Sequence, residues 1–233
     1  FNNINGVSVD MEENRTENKI VIQGLNKTIK GSPVLVDINL EFTGGKVYGL
    51  KGKNGSGKTM LMRAISGLIV ANSGTITING EVLGKQISFP RSIGVLIENP
   101  AFIGNYTGFK NLQVLASIQK RIGDDRIREV LEEVGLEPDD KRTYRKYSLG
   151  MKQRLGIAAA VMEYPDIIIL DEPINALDES GAMQVREILR KAKERGAIII
   201  LACHDKEELE FLSDVIYEIS DGKIVNSEDS RSI

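Results

Sequence analysis

Gly52-Lys53-Asn54-Gly55-Ser56-Gly57-Lys58-Thr59 fits the spacing G-x-x-x-x-G-K-[ST]. Glycines at these places let the backbone take positive φ and turn its N–H groups inward on a phosphate. Lys46–Lys51 reads as a strand entering the loop, and residues 60–66 as a helix leaving it, whose N-terminal end adds positive potential. Gly52, Lys53, Asn54, Gly55, Ser56 and Gly57 are therefore candidate phosphate-binding residues. Lys58 would reach β- and γ-phosphates, and the Thr59 hydroxyl would ligate Mg²⁺. The plain alternative is a Gly-rich surface loop. The strand before and helix after weigh against it, and composition alone produces the pattern in roughly one chain in a hundred of this length.

Around the loop the chain reads as an α/β domain. Val34, Val36, Ile38, Leu40 and Phe42 alternate with Leu35, Asp37, Asn39 and Glu41, the period of a strand with unlike faces. Thr75-Ile76-Thr77-Ile78 alternates too and ends in Asn79-Gly80, a hairpin turn. Both predict antiparallel strands flanking the phosphate loop. Ile127, Val130, Leu131 and Val134 fall on one helical face closed by Gly135, and a second helix is expected after Gly150, running to Pro165. No strand pattern appears between Glu98 and Ser148, so residues from about 99 to 163 are a candidate inserted helical subdomain. Residues 167–170 and 198–202 are unbroken apolar runs, as parallel strands covered on both faces require, with an amphipathic helix at 183–195 between them. Asp221-Gly222 predicts a closing hairpin.

Composition excludes several classes. The 233 residues carry a formal charge of -3, with 41% hydrophobic and 27% charged, enough for a real core and without a basic field for nucleic acid. One cysteine allows no internal disulfide. No apolar run approaches the ~20 residues of a membrane helix; one of the longer ones lies at residues 156–162. Residues 1–19 are polar, without a signal-peptide core. The chain opens on Phe1, so Met11 is a candidate native initiator, with an appended remnant before it. The domain is expected over 20–225, with a tail at 226–233.

Ile167-Ile168-Ile169-Leu170-Asp171-Glu172 delivers two carboxylates to the carboxyl end of a buried strand, where open α/β sheets place ligands. Asp171 then suits Mg²⁺ through water, and Glu172 suits polarising a water toward a γ-phosphate. Taken alone, Asp-Glu-Pro could equally end a strand as a solvated turn. His204, the single histidine, follows the second apolar run, a place that favours phosphate contact over a structural role. Cys203 beside it would face the other way and reads as a small buried residue.

Tyr147-Ser148-Leu149-Gly150-Met151-Lys152-Gln153-Arg154 resembles the LSGGQ signature, with its trailing K/Q-Q-R, of ABC-transporter nucleotide-binding domains. It precedes Asp171-Glu172-Pro173 as that family orders them. Asn175-Ala176-Leu177-Asp178 looks like the family's D-loop, and His204 like its switch histidine. The resemblance covers about residues 19–225. It implies a P-loop NTPase fold with a mixed core sheet, an N-terminal antiparallel β subdomain and an inserted helical subdomain. It further implies ATP hydrolysis with Mg²⁺, held by Thr59, Glu98 and Asp171, and with Lys58, Glu172 and His204 as catalytic residues. Ser148 and Gly150 would meet the γ-phosphate of a second copy in an ATP-sandwich dimer, and Asp178 of the D-loop would be among the nucleotide-binding residues. The implied partner is a separate membrane permease, which places the subunit on the cytoplasmic side of the membrane.

Residues 93–100 (Ile-Gly-Val-Leu-Ile-Glu-Asn-Pro), taken with the signature, look like the branch that exports bacitracin-like or lantibiotic-like peptides and related drugs. The short stretch after His204 fits that branch, without the extension many import ATPases carry. Three departures stand out. Ile29 replaces the aromatic that often stacks on adenine, Glu98 replaces a glutamine, and Leu149 and Met151 replace a glycine and a glutamine of the signature. Other classes fit less well. DNA-repair or chromosome ATPases carry a heptad insertion and ribosome-acting members two such domains, while a non-hydrolysing module would lose Lys58, Asp171, Glu172 or His204. A GTPase would lack the signature. Lys141, Arg142, Arg145 and Lys146 read as a solvated loop rather than a contact for headgroups. Phe102, Tyr106 and Phe109 fit either core or a groove for the permease's coupling helix.

Overall fold

The computed structural model describes residues 18–98 and 100–229. Residues 1–17 and 230–233, most of the expected leading segment and half of the tail, lie outside the described residues, as does Asn99, where the helical insertion was expected to begin. The elements run β1 (Lys19–Ile29), β2 (Ser32–Thr43), β3 (Lys46–Lys51), α1 (Lys58–Ile65), β4 (Ser73–Ile78), β5 (Glu81–Val82), β6 (Ile93–Leu96), α2 (Gly108–Gln119) and α3 (Asp124–Glu133). A 3₁₀ turn at Tyr144–Lys146 follows, then α4 (Leu149–Val161), β7 (Ile167–Asp171), α5 (Glu179–Glu194), β8 (Ile198–Ala202), α6 (Lys206–Leu212), β9 (Val215–Ser220) and β10 (Lys223–Asp229).

The strands form two sheets. An antiparallel sheet has the order β2-β1-β4-β5, and a mixed sheet the order β10-β9-β3-β8-β7-β6, parallel from β9 to β6. The unbroken apolar runs have a direct cause. Ile168, Leu170, Ile199 and Leu201 point into a core shared with α2 to α5, whereas Ile167, Ile169, Ile198 and Ile200 point into one shared with α1 and the antiparallel sheet. Each fully buried aliphatic side chain contributes about 1.5–3 kcal/mol of burial, so both faces of β7 and β8 must be apolar.

Some boundaries and one face differ from expectation. In β2, Ile38, Leu40 and Phe42 are buried as the period requires, but upstream Leu35 is buried while Val34 and Val36 are only half so. A bulge explains it. Asp37 has φ 51, and the pairing slips between Leu25↔Ile38 and Lys27↔Leu35, so the alternation inverts across one inserted residue. Helix α4 begins at Leu149, not after Gly150, because the Ser148 side chain accepts the Met151 N–H as N-cap. It stops at Val161 rather than Pro165, and Tyr164 then takes φ 53. Helix α5 starts at Glu179 rather than 183, capped by Asp178, which accepts from Gly181 N–H. Helix α1 starts at Lys58 rather than Met60. Helices α2 and α6 and strand β6 are elements that the sequence reading did not single out; Thr107 caps α2, and the buried Asn111 ties it to the preceding loop.

Among the described residues no helix is long and apolar enough to cross a membrane.

Candidate nucleotide site

The loop between β3 and α1 is built by close backbone approach. Gly57 has φ 113, and a Cβ there would sit 2.9 Å from the Val34 carbonyl oxygen, so β2 forms the floor on which the loop rests. Gly222, in the β9–β10 turn, donates its N–H to Ser56 O at 2.9 Å and accepts from Val36 N–H at 2.8 Å. The Lys58 ammonium donates to the carbonyls of Gly52 at 2.6 Å and Lys53 at 3.2 Å, arching back over the loop. The Ser56 hydroxyl is buried with no partner among the described residues, and a buried hydroxyl without a partner is unfavourable unless a ligand supplies one. An orphaned hydroxyl in the loop that the Lys58 ammonium also binds, leading into a helix N-terminus, fits a phosphate.

Two carboxylates meet this loop from β7. The Thr59 hydroxyl donates to Asp171 Oδ2 at 3.1 Å, joining the first turn of α1 to the strand end. Glu172 has φ 51 and donates its N–H to Ala202 O at 2.9 Å. Its carboxylate accepts the His204 N–H at 3.1 Å, and His204 Nε2 stands 3.4 Å from the other oxygen. Burial pushes the Glu172 carboxyl above the usual carboxylate range; the His204 amide opposes that, the Asp171 charge adds to it, and the Lys58 ammonium opposes it. Lys58, Thr59, Asp171, Glu172 and His204 line one open cavity of ≈ 690 Å³, together with Ile29 and Val34. That volume is in the range of small-molecule sites. A threonine hydroxyl beside one aspartate, with room for phosphate and water oxygens, is an oxygen donor set that suits Mg²⁺.

Other expected site residues lie elsewhere. Glu98 accepts from Arg63 of α1 at 2.6 Å and is not among the residues lining the cavity. Ser148 is exposed at the start of α4, and Gly150 sits in the first turn, where a Cβ would be 2.9 Å from the Ala176 carbonyl oxygen. Asp178 accepts from Arg154 Nη2 at 2.8 Å. None of these three is among the residues lining the cavity. Cys203 is buried while His204 is exposed, as strand alternation predicts; burial pushes the Cys203 thiol up to about 11. Of the basic cluster, Arg142 pairs with Asp140 and the other three side chains are exposed. Phe102 and Phe109 pack against the helical core, and Tyr106 is partly exposed.

Gln153 and Arg154 carry roles that the sequence reading did not assign. Gln153 Nε2 donates to Glu172 O at 2.8 Å and Pro173 O at 3.1 Å, and Arg154 links Asp178, Gln184 and the Val134 carbonyl. The signal was present in Lys152-Gln153-Arg154, which followed the signature in the resemblance but came without a chemistry of its own.

A Gly-rich loop between a parallel strand and a helix, facing strand-end carboxylates, defines a P-loop nucleotide-binding ATPase. Residues 35–175 match the model of the ABC transporter family, and the chain belongs to that family as an ATP-binding, ATP-hydrolysing subunit. It is 49% identical over 209 residues to the uncharacterized ABC transporter ATP-binding protein YybJ of Bacillus subtilis (strain 168), covering 90% of this chain and 96% of that one. It is 39% identical to the bacitracin transport ATP-binding protein BcrA of Enterococcus faecalis, covering 88% of this chain and 68% of BcrA. With the lantibiotic transport ATP-binding protein SrtF of Streptococcus pyogenes it shares 38% identity, over 88% of each. Among solved structures, the dimeric ATP-binding cassette MJ0796 bound to ADP and Pi matches the fold with TM-score 0.83 at 23% identity, over 92% of this chain and 100% of that one.

Proposed function

We propose that this chain energises export of a drug or antimicrobial peptide through a separate membrane permease, working as an ATP-sandwich dimer on the cytoplasmic side of the membrane. The observation that carries the reading is the separation of two half-sites. One cavity is lined by Lys58, Thr59, Asp171, Glu172 and His204, while Ser148 and Gly150 at the start of α4 are not among its lining residues; on this reading they cap a nucleotide held by a second copy. Residues 20–225 would form the ATP-binding domain, with the helices from α2 to α4 as its helical lobe.

In this mechanism the backbone N–H groups of residues 52–57 cradle the phosphates and the Lys58 ammonium turns from Gly52 and Lys53 to the β- and γ-phosphates. Thr59 and Asp171 would hold Mg²⁺, with Glu98 reaching it only after leaving Arg63. Bound there, the ion would neutralise charge on the β- and γ-phosphates. The Glu172 carboxylate accepts a proton from the attacking water, and its raised pKa brings it nearer the value a general base needs. His204 steadies the γ-phosphate as the water oxygen bonds to phosphorus and ADP leaves. Two ATP molecules bound between two copies drive closure, and hydrolysis reopens the dimer.

The names of BcrA and SrtF support the cargo class, and it is tested in the native host. Replacing the gene with a Glu172→Gln form should raise sensitivity to at least one bacitracin-like or lantibiotic peptide. Unchanged sensitivity across such a panel would remove the export reading and leave the ATPase standing.

A further inference from the structure

We propose that Gln153 is a positioning residue for hydrolysis, whose side-chain amide holds the Glu172 backbone in the turn that presents the Glu172 carboxylate to the cavity. This rests on the reading of Glu172 as the group that activates water.

Glu172 is a residue with φ 51, a left-handed conformation that costs free energy for a side chain of its kind and persists only where surrounding structure enforces it. Three contacts enforce it. Its N–H is given to Ala202 O of β8 at 2.9 Å, and its carboxylate accepts the His204 N–H at 3.1 Å. The third is Gln153 Nε2, which donates to Glu172 O at 2.8 Å and to Pro173 O at 3.1 Å. Both amide protons are thereby spent on the two peptide oxygens that follow the β7 carboxylates. The first two contacts come from the end of β8 and the residues just after it. Only the third reaches across from α4, the helix whose first turn carries Ser148 and Gly150.

That placement has a mechanical consequence. Any shift of α4 when Ser148 and Gly150 meet a nucleotide is passed through one amide to the turn that aims Glu172. Such a link acts on the chemical step rather than on nucleotide binding, because Gln153 hydrogen-bonds the Glu172–Pro173 turn and is not among the residues lining the nucleotide cavity. Misplacement of a reacting group by about an ångström is enough to cost up to a hundredfold in rate.

Steady-state ATP hydrolysis by the full chain tests it in Gln153→Ala, Gln153→Glu and Gln153→Lys. Glutamate keeps the shape but has no N–H to give, whereas lysine restores a donor of similar reach. The expected result is a kcat lower by about tenfold or more in the alanine and glutamate forms, with KM within about twofold, and substantial recovery in the lysine form. Adding Gln153→Ala to Glu172→Gln should lower the residual rate by less than about twofold, since the amide acts through a carboxylate already removed. Unchanged kcat in Gln153→Glu, a loss confined to KM, or an undiminished effect in the Glu172→Gln background would each overturn the proposal. The Glu172 reading is judged separately, by whether Glu172→Gln alone abolishes hydrolysis.

Discussion

The guanidinium of Arg63 and the carboxylate of Glu98 stand 2.6 Å apart, with Arg63 on the same helix as Lys58 and Thr59. Glu98, expected from the sequence to take the place of the family's glutamine, is paired with Arg63 of α1 and is not among the residues lining the Thr59–Asp171 cavity. The Glu98 side chain is 61% exposed, so the pair contributes only about 0–1 kcal/mol and can be exchanged for another cation.

That exchange makes metal dependence measurable. Should Glu98 exchange Arg63 for a γ-phosphate without Mg²⁺, its charge would repel the phosphate oxygens. Glu98→Gln should therefore bind metal-free ATP more tightly than the natural chain, with Mg²⁺-ATP turnover changed by less than about tenfold. Titration of ATP with and without EDTA measures both. Equal metal-free affinities would mean that Glu98 stays with Arg63 and serves a contact away from the nucleotide.

Ile29 lines the cavity, where an aliphatic side chain cannot supply the aromatic stacking that contributes about 1–3 kcal/mol per base. GTP should bind within about tenfold of ATP, and Ile29→Tyr should tighten ATP. A hundredfold preference for ATP in competition would show that another side chain holds the base.

Gly94 in β6 packs against α4 with no space for a side chain, since a Cβ there would overlap the Ala160 carbonyl oxygen. Backbone on both sides leaves nothing flexible to yield. Gly94→Ala should lower unfolding free energy by about 3 kcal/mol or more in urea titration, and a loss under about 1 kcal/mol would mean that β6 and α4 separate easily.

Burial pushes the Cys203 thiol up to about 11, so little thiolate exists near neutral pH. A disulfide reagent at pH 8 should label the folded chain far more slowly than the unfolded one. Because the folded pKa is the higher one, the associated stability is present below the unfolded value near ~8.5 and lost as pH rises toward the folded one. Rapid labelling of the folded chain would place Cys203 in solvent.

Much of this was legible before the fold. The phosphate loop, β7 and β8, the Asn79-Gly80 hairpin and the β9–β10 turn were readable because each is specified by local chemistry: a turn residue, a glycine spacing, or a run apolar on both faces. The bulge at Asp37 was not, since its cause lies across the sheet. There, Asn26 accepts the Asp37 N–H at 2.9 Å and Asn39 accepts the Gly24 N–H at 2.8 Å. Helix α2 escaped notice because its buried face includes Gly108 and Asn111 beside Leu112 and Ala116, which blurs the apolar period. In the site, Glu172 and His204 could be named singly, but Gln153 reaching Glu172 and Arg63 taking Glu98 are contacts between residues far apart in the chain, and no spacing rule announces them.

The central claim, a Glu172 base inside a two-copy ATP sandwich, is tested most directly by size-exclusion of Glu172→Gln with saturating Mg²⁺-ATP. The variant should bind ATP as the natural chain does, hydrolyse it at least about a hundredfold more slowly, and elute as a dimer that Ser148→Arg returns to monomer. Elution as a monomer at micromolar protein, or hydrolysis at the natural rate, would contradict it.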